Sequence, residues 1–281
     1  MRQASAAPPA EPFFLGAEQG QRFCLFYPPA EPCRGAVLFA APFGEELNKA
    51  RRMAAMQARD LAAHGFGVLL LDLHGCGDSS GDFGDARWQG WKDDLALGHS
   101  WLLARLDRPV SLWGMRLGAL LALDYARDAV APVANMMLWQ PVHSGATFLT
   151  QFLRLRIAND MLAEGNEKSS GTHALRNALL AGETLEVAGY ALAPALAAAI
   201  DALDAAALTV TSCPVHWFEA VPAEGRALSP GSAKVVGAWQ REGASTEVHL
   251  VTCPPFWATQ EVTECPALVA ATSTVFAGLP Q

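Results

Sequence analysis

The sequence LWGMRLGALLALDYA, residues 112–126, decides the fold that we predict for this chain. Its apolar beginning is typical of a buried strand, and apolar residues recur after Leu117 at the spacing of a helix. Between strand and helix, Gly114 and Gly118 lie two residues to either side of Arg116. Because glycine lets a strand and the following helix approach closely, we predict a sharp turn with the Arg116 side chain exposed on it.

Strands and helices alternate on both sides of this turn. Apolar runs predict early strands at Phe23–Tyr27, Gly35–Ala41, Phe66–Leu73, Pro109–Trp113 and Ala134–Trp139. Helical spacing predicts helices over residues 48–63, about 86–106 and 117–127. This alternation predicts an α/β fold with a mostly parallel, doubly wound sheet.

Residues 145–208 interrupt the alternation with helical segments, including the alanine-rich ALAPALAAAIDALDAAAL at 191–208. We predict that this insert forms a helical cap over the carboxyl edge of the sheet. The core then consists of residues 13–144 and 209–281, and residues 1–12 form a flexible tail. In the second part of the core, we predict strands at Pro214–Glu219 and Glu247–Val251, and helices at Ser232–Arg241 and from about Glu261.

Composition excludes several classes of protein. The 281 residues carry a formal net charge of −8 and no dense Lys/Arg cluster, which argues against nucleic-acid binding. No apolar run reaches the 18 or so residues of a membrane-spanning helix, so we predict no transmembrane segment. The first residues show no secretory signal, so we expect a cytoplasmic protein with its six cysteines reduced.

The turn at Arg116 resembles the nucleophile elbow of α/β-hydrolases, G-x-S-x-G, with arginine in place of the attacking serine. The segment DLHGCGDSSG at 72–81 resembles the D-x-x-G-x-G-x-S segment that precedes the elbow by about 40 residues in that superfamily. Pro42-Phe43-Gly44 lies where the oxyanion loop follows an earlier strand. The resemblance implies an α/β-hydrolase fold.

Further motifs resemble a narrower group, the exosortase A system-associated hydrolases of the second type. These motifs are PFGEELN (42–48) with Arg51-Arg52, DLHGCGDSSGDF (72–83), Trp88 and Trp91 before Asp93-Asp94, GMRLGA (114–119), LWQPV (138–142) and PFW (255–257). That group occurs near exopolysaccharide and protein-sorting loci of Gram-negative bacteria. The resemblance implies a role in exopolysaccharide or protein-sorting biogenesis, with a protein partner from that system.

The catalytic triad of this fold is degenerate at two of its three positions. The guanidinium of Arg116 stays protonated and is no nucleophile. Trp257 stands where the catalytic histidine would follow the last strand, and His249 lies inside that strand. Glu219 fits the position of the acid. We therefore predict a non-catalytic binding or accessory protein.

A cation at such a turn requires a partner, because an unpaired buried charge costs several kcal/mol. The candidate partners of Arg116 are Glu45, Glu46, Glu219 and a bound anion. We favour an internal ion pair that closes a dead site. The alternative is a pocket for a small anionic, acyl or sugar ligand, lined by Arg116, Glu45, Glu46, Phe43, His143 and Trp257.

A second alternative is an active hydrolase or acyltransferase that acts on an ester or thioester with a relocated nucleophile. Cys76 or Ser79 would attack, with His74 or His143 as base. A purely structural turn at residues 75–81 is the favoured interpretation. The histidines and cysteines show no metal-ligand spacing, and we predict no metal and no cofactor.

Overall fold

The computed structural model describes residues 8–164 and 171–278. Its strands are β1 (Glu11–Gly16), β2 (Gln21–Tyr27), β3 (Gly35–Ala40), β4 (Phe66–Leu71), β5 (Val110–Met115), β6 (Val133–Trp139), β7 (Leu185–Val187), β8 (Tyr190–Leu192), β9 (Val215–Val221) and β10 (Thr246–Thr252). Its helices are α1 (Glu45–Ala63), α2 (Trp88–Leu106), α3 (Leu117–Asp128), α4 (Gly145–Glu164), α5 (Thr172–Leu180), α6 (Pro194–Asp201), α7 (Pro230–Arg241) and α8 (Pro266–Gly278). All of the helices and strands predicted for the core are found, with bounds that shift by a few residues.

Eight strands form one sheet in the order β1-β2-β4-β3-β5-β6-β9-β10. The pairs from β4 to β10 are parallel, while β1 and β2 join the edge of the sheet in antiparallel pairing. This arrangement confirms the predicted doubly wound sheet of an α/β-hydrolase fold. Its carboxyl edge gathers the loops after β3, β5, β6, β9 and β10, where ligands bind in open parallel sheets.

The sheet has a separate apolar core on each face. One core packs α1 and α8 against residues such as Phe39, Trp113 and Trp139. The other packs α2, α3, α7 and the insert against the opposite face, and Trp88 and Trp91 are buried there. Burial on both faces explains why the central strands β3 and β5 read as continuous apolar runs.

The insert between β6 and β9 contains α4, α5 and α6, together with the two-stranded hairpin β7–β8. The expectation of helical segments alone is therefore wrong at residues 185–192, where a turn with positive φ at Ala188 and Gly189 joins the strands. Helix α4 lies against the loop after β3, where Phe148 and Phe152 pack edge-on against Phe43. Residues 165–170 of the insert lie outside the described ranges.

Three further expectations are corrected by the structure. Glu11 and Pro12, assigned to the tail, belong to β1 and pair with β2, whereas residues 1–7 lie outside the described ranges. The last helix begins at Pro266 rather than near Glu261, because proline with its fixed φ is favoured in the first turn of a helix. A disulfide joins Cys253 to Cys265, so the expectation of six reduced cysteines is wrong for this pair.

Candidate functional site

The turn between β5 and α3 has the strained geometry that its glycines predict. Arg116 adopts φ 55° and ψ −119°, a conformation that side-chain-bearing residues rarely adopt. A Cβ on Gly118 would lie 2.2 Å from the carbonyl oxygen of Ala41, and one on Gly114 would lie 2.5 Å from Cα of Ala119. Both glycines are therefore required by close packing, and the turn aims Arg116 at the carboxyl edge of the sheet.

Among the acidic residues considered for Arg116, Glu46 is the partner. Arg116 Nε donates a hydrogen bond to Glu46 Oε1 at 3.1 Å, and Nη1 donates to the carbonyl oxygen of Gln140 at 3.4 Å. Both side chains of the ion pair are mostly buried, with 16% of Arg116 and 20% of Glu46 exposed. The guanidinium also lies over the indole of Trp257, 5.3 Å from the ring centroid.

The charge on Glu46 depends on this pairing. Burial raises the pKa of the Glu46 carboxyl, and the nearby Arg116 partly offsets that rise. The second carboxylate oxygen, Oε2, is buried and has no hydrogen-bond partner among the described residues. The ion pair therefore carries a buried acceptor that a ligand hydroxyl or a water could satisfy.

Glu45 has hydrogen-bond partners other than Arg116. Its Oε2 accepts a hydrogen bond from Nδ2 of Asn48 at 2.9 Å and a longer one from the Tyr190 hydroxyl at 3.5 Å. Tyr190 belongs to the hairpin of the insert. Glu45 thus connects α1 to the insert at the rim of the site.

Trp257 occupies the loop after β10, between the two disulfide-bonded cysteines. Its side chain is largely buried beside Phe256, which is completely buried. All seven histidines fall within the described ranges, and none of them hydrogen-bonds to Arg116 or Glu46 there. The side chain that the Arg116 guanidinium lies over is therefore an indole, and no imidazole hydrogen-bonds to the ion pair.

Glu219 lies on β9 and is not paired with Arg116. Its Oε1 accepts a hydrogen bond from the Ser229 backbone N–H at 2.9 Å, and its Oε2 accepts one from the Ser232 hydroxyl. Nε2 of His143 lies 2.8 Å from the same hydroxyl oxygen. Since Ser232 donates its proton to Glu219, the His143 N–H is the donor to Ser232.

His143 is connected to the acid position through Ser232, which is completely buried. Burial lowers the pKa of His143, the nearby Glu219 raises it, and Arg116 lowers it further. Sequence reasoning missed Ser232 as a member of this chain of hydrogen bonds. The available signal was Ser229-Pro230, which is typical of the start of a helix. With Ser229 as the N-cap, Ser232 lies three residues further on, in the first turn of α7.

Arg116 borders two cavities under α4. The larger, of about 380 Å³, has Phe43, Phe148, Phe152, Leu155 and Trp257 as its apolar wall. The polar lining of that cavity consists of Glu45, Glu46, Lys49, Arg116 and Gln151. The smaller, of about 200 Å³, includes His143 and Gln140. The two interpretations of Arg116 are therefore not exclusive, because it is ion-paired and also faces open space.

Neither candidate for a relocated nucleophile has an activating environment. Burial raises the pKa of Cys76 to about 12, and the nearby carboxylates of Asp72 and Asp94 add to that rise. Ser79 donates from its hydroxyl to the Asp72 carbonyl at 2.5 Å and accepts from the Phe23 backbone N–H at 2.9 Å. Ser79 thus stabilises the turn as the structural interpretation predicts.

A second group of polar side chains meets at the other edge of the sheet. His216, Glu247 and His249 lie within reach of one another on β9 and β10. Sequence reasoning found no ligand spacing for His216, because its neighbours are about thirty residues away along the chain. The available signal was Glu-x-His in a predicted strand, which places both side chains on one face.

These observations define a protein of the α/β-hydrolase fold whose elbow carries an ion-paired arginine. A model of the family described as serine aminopeptidase, S33, matches residues 24–215, well over half of the chain. The chain belongs to that family. No protein of curated description matches it.

Solved structures share the fold at low sequence identity. Est1E of Butyrivibrio proteoclasticus, described as bound to ferulic acid, superposes with a TM-score of 0.63 at 12% identity, covering 94% of this chain and 97% of that one. Proline iminopeptidase of Mycobacterium smegmatis superposes with a TM-score of 0.60 at 13% identity, covering 95% of this chain and 97% of that one. A soluble variant of monoglyceride lipase from Saccharomyces cerevisiae superposes with a TM-score of 0.58 at 15% identity, covering 88% of this chain and 89% of that one. Within the described ranges, no helix is both long and apolar enough to cross a membrane.

Proposed function

We propose that this chain is a non-catalytic binding protein whose cleft beside Arg116 takes a molecule with an acyl body and a carbonyl or carboxylate head. The observation that carries the proposal is the Arg116–Glu46 ion pair at the elbow, facing a cavity with an apolar wall. A volume of about 380 Å³ is in the range of small-molecule sites.

The lining of the cleft favours an apolar ligand over a strongly charged one. Glu45 and Glu46 balance Lys49 and Arg116, so the polar end of the cleft carries no net charge when all four are ionised. Two of the five N–H donors of the Arg116 guanidinium are engaged within the described residues. The others suit an oxygen acceptor on the head of a ligand.

An acyl chain fits the cleft better than a sugar. Sugars stack on an open aromatic face, whereas the Trp257 indole is only 9% exposed and has the guanidinium of Arg116 over its ring. The remaining aromatic rings of the wall pack edge-on against one another, as Phe43 does with Phe148 and Phe152. Such a wall contacts an acyl chain without presenting a flat stacking surface.

Binding is tested by titrating decanoate and methyl decanoate while following tryptophan fluorescence. We expect saturable binding that Leu155→Asn weakens at least tenfold, because Leu155 is an exposed part of the apolar wall. Leu180→Asn is the matched control, since Leu180 is exposed on α5 and does not line the cleft. Equal affinity in both variants, or no saturable binding, contradicts the proposal.

Family membership favours a second candidate, a hydrolase or acyltransferase with a relocated nucleophile at Cys76 or Ser79. The protonated thiol of Cys76 and the fully engaged hydroxyl of Ser79 argue against it. A fluorophosphonate probe and nitrophenyl esters of short and long chain separate the two candidates. Stoichiometric labelling that disappears in Cys76→Ala or Ser79→Ala establishes the hydrolase and refutes the binding protein.

The biological setting of this proposal comes from the resemblance to exosortase A system-associated hydrolases. That resemblance supports a binding role in exopolysaccharide or protein-sorting biogenesis with a protein of that system as partner, and the missing secretory signal supports a cytoplasmic location. Co-purification with proteins encoded beside its gene, before and after Leu155→Asn, tests this assignment. Recovery of no such protein argues against it.

A further inference from the structure

Three metal-ligating side chains converge on β9 and β10, at the edge of the sheet opposite to Arg116. His216 Nδ1 lies 3.2 Å from His249 Nε2 and 3.5 Å from a carboxylate oxygen of Glu247. His249 Nε2 lies 3.8 Å from the other oxygen of that carboxylate. The parallel register explains the meeting, because it pairs His216 with Glu247, and His249 follows two residues later on the same face.

These distances match the spacing of ligands around a small divalent ion. With Zn–N bonds of about 2.0–2.1 Å, two ligand nitrogens of a tetrahedral site lie about 3.3 Å apart. The two imidazole nitrogens are already at that separation, and the carboxylate of Glu247 needs only a small rotation. Two imidazoles and a carboxylate are a ligand set that zinc uses in sites with an open fourth position.

The surroundings hold the rings in place and leave access to solvent. The His249 ring stacks on Phe218 at 4.5 Å between centroids, and His216 stacks on His249 at 5.5 Å. His216 is only 8% exposed, whereas the Glu247 side chain is 66% exposed. An open cleft of about 540 Å³ is lined by His216 and Glu247, so an ion can enter and a fourth ligand can reach it.

We propose that His216, Glu247 and His249 bind one divalent transition-metal ion, with zinc as the preferred ion among those available to cells. His216 contributes Nδ1, His249 contributes Nε2, and Glu247 contributes a carboxylate oxygen. The fourth position takes water or a ligand from the adjoining cleft. This site is independent of the Arg116 cleft and of the function proposed for it.

The test is a titration of tag-free protein with Zn²⁺ in competition with a chromophoric chelator, and with Co²⁺ followed by visible absorption. We expect one equivalent of metal and a Co²⁺ spectrum typical of nitrogen and oxygen ligands. His249→Gln and Glu247→Gln are expected to weaken Zn²⁺ binding at least tenfold. In the wild type, but not in these variants, Zn²⁺ is expected to raise the melting temperature.

His64→Gln is the matched control, because His64 is a half-exposed histidine beside an acidic residue, Asp60, at the end of α1. Its affinity for Zn²⁺ is expected to equal that of the wild type. Glu247 is exposed, so its variant folds even if loss of an imidazole disturbs β10. The proposal is overturned if the wild type binds no stoichiometric metal, if Glu247→Gln binds as tightly as the wild type, or if Co²⁺ shows thiolate charge-transfer absorption.

Discussion

Replacing Arg116 by methionine separates the ion pair at the elbow while keeping an unbranched side chain of useful length. The change leaves Glu46 without its cation in a site where only 20% of its side chain is exposed. Removing one partner of a fully buried pair costs about 3–5 kcal/mol, and the residual exposure of both groups lowers the expectation to about 2–3 kcal/mol at pH 8.

The stability cost of Arg116→Met depends on pH, and the direction of that dependence follows from the protonation of Glu46. Burial raises the folded-state pKa of Glu46 above the unfolded value, and Arg116 opposes that rise, so removal of Arg116 raises the pKa further. A raised carboxyl pKa means that stability is retained below the unfolded pKa and is lost as pH rises through the folded one. At pH 5 a larger fraction of Glu46 is protonated than at pH 8, so we expect Arg116→Met to cost less there, with the cost approaching that of lost packing alone.

Urea unfolding followed by tryptophan fluorescence at pH 5 and pH 8 measures both values. The control is the double variant Glu46→Gln/Arg116→Met, whose stability relative to Glu46→Gln is expected to vary little between the two pH values. A cost for Arg116→Met that is equal at pH 5 and pH 8, or larger at pH 5, refutes the reasoning about the ion pair.

Three further outcomes follow from the structure. Arg116→Ser is expected to hydrolyse no nitrophenyl ester above the background rate, because His143, the imidazole that shares a cavity with Arg116, is hydrogen-bonded to Ser232 rather than to the elbow; measurable turnover refutes this. Gly118→Ala is expected to lower the free energy of unfolding, measured in urea, by about 3 kcal/mol or more, because its Cβ would meet a backbone oxygen. Gly90→Ala is the control: it has open space around it in α2 and is expected to raise the free energy of unfolding by about 0.5–1 kcal/mol. Asp94→Asn is expected to lower the free energy of unfolding by about 3–5 kcal/mol, because Asp94 and Arg22 form a buried ion pair at 2.6 Å; a loss below 1 kcal/mol contradicts this.

The fold could be predicted from local signals that agree with one another. The glycines at 114 and 118 are required by contacts of 2.5 Å and 2.2 Å that any side chain would create, so their spacing alone indicates the turn. Strands that are buried on both faces appear in the sequence as apolar runs, and these runs predicted the central strands of the sheet. The edge strand β1 was missed because Glu11-Pro12 interrupts the alternation and the strand is half exposed.

The identity of the Arg116 partner could not be predicted, because it depends on where α1 begins. Successive helical residues point about 100° apart, so a shift of one residue exchanges Glu45 for Glu46 at the elbow. The helix was predicted from Asn48, whereas the structure starts it at Glu45, directly after Gly44 with φ 57°. That backbone conformation has no signature in the sequence beyond the glycine itself.

The cluster on β9 and β10 was hidden for a different reason. Its geometry is set by the register between neighbouring parallel strands, which pairs His216 with Glu247. A shift of one residue would move Glu247 and His249 to the opposite face of the sheet. The sequence predicts both strands but contains no turn that fixes their register, because α7 separates them.

Serine at position 116 alone would not assemble a serine-hydrolase site at this elbow, because the residues around it also differ from those of a catalytic triad. Glu46 places a carboxylate within 3.1 Å of Arg116 Nε, next to the loop that would supply an oxyanion hole. In acyl transfer, negative charge develops in the oxyanion hole. An ionised carboxylate nearby disfavours that charge unless a cation neutralises the carboxylate. Arg116 is that cation, so serine at position 116 would leave the charge of Glu46 without a partner, and the neighbouring ring would still be the indole of Trp257 rather than an imidazole. Arg116 therefore contacts both Glu46 and Trp257 at the elbow, and all three line the apolar cleft beside it.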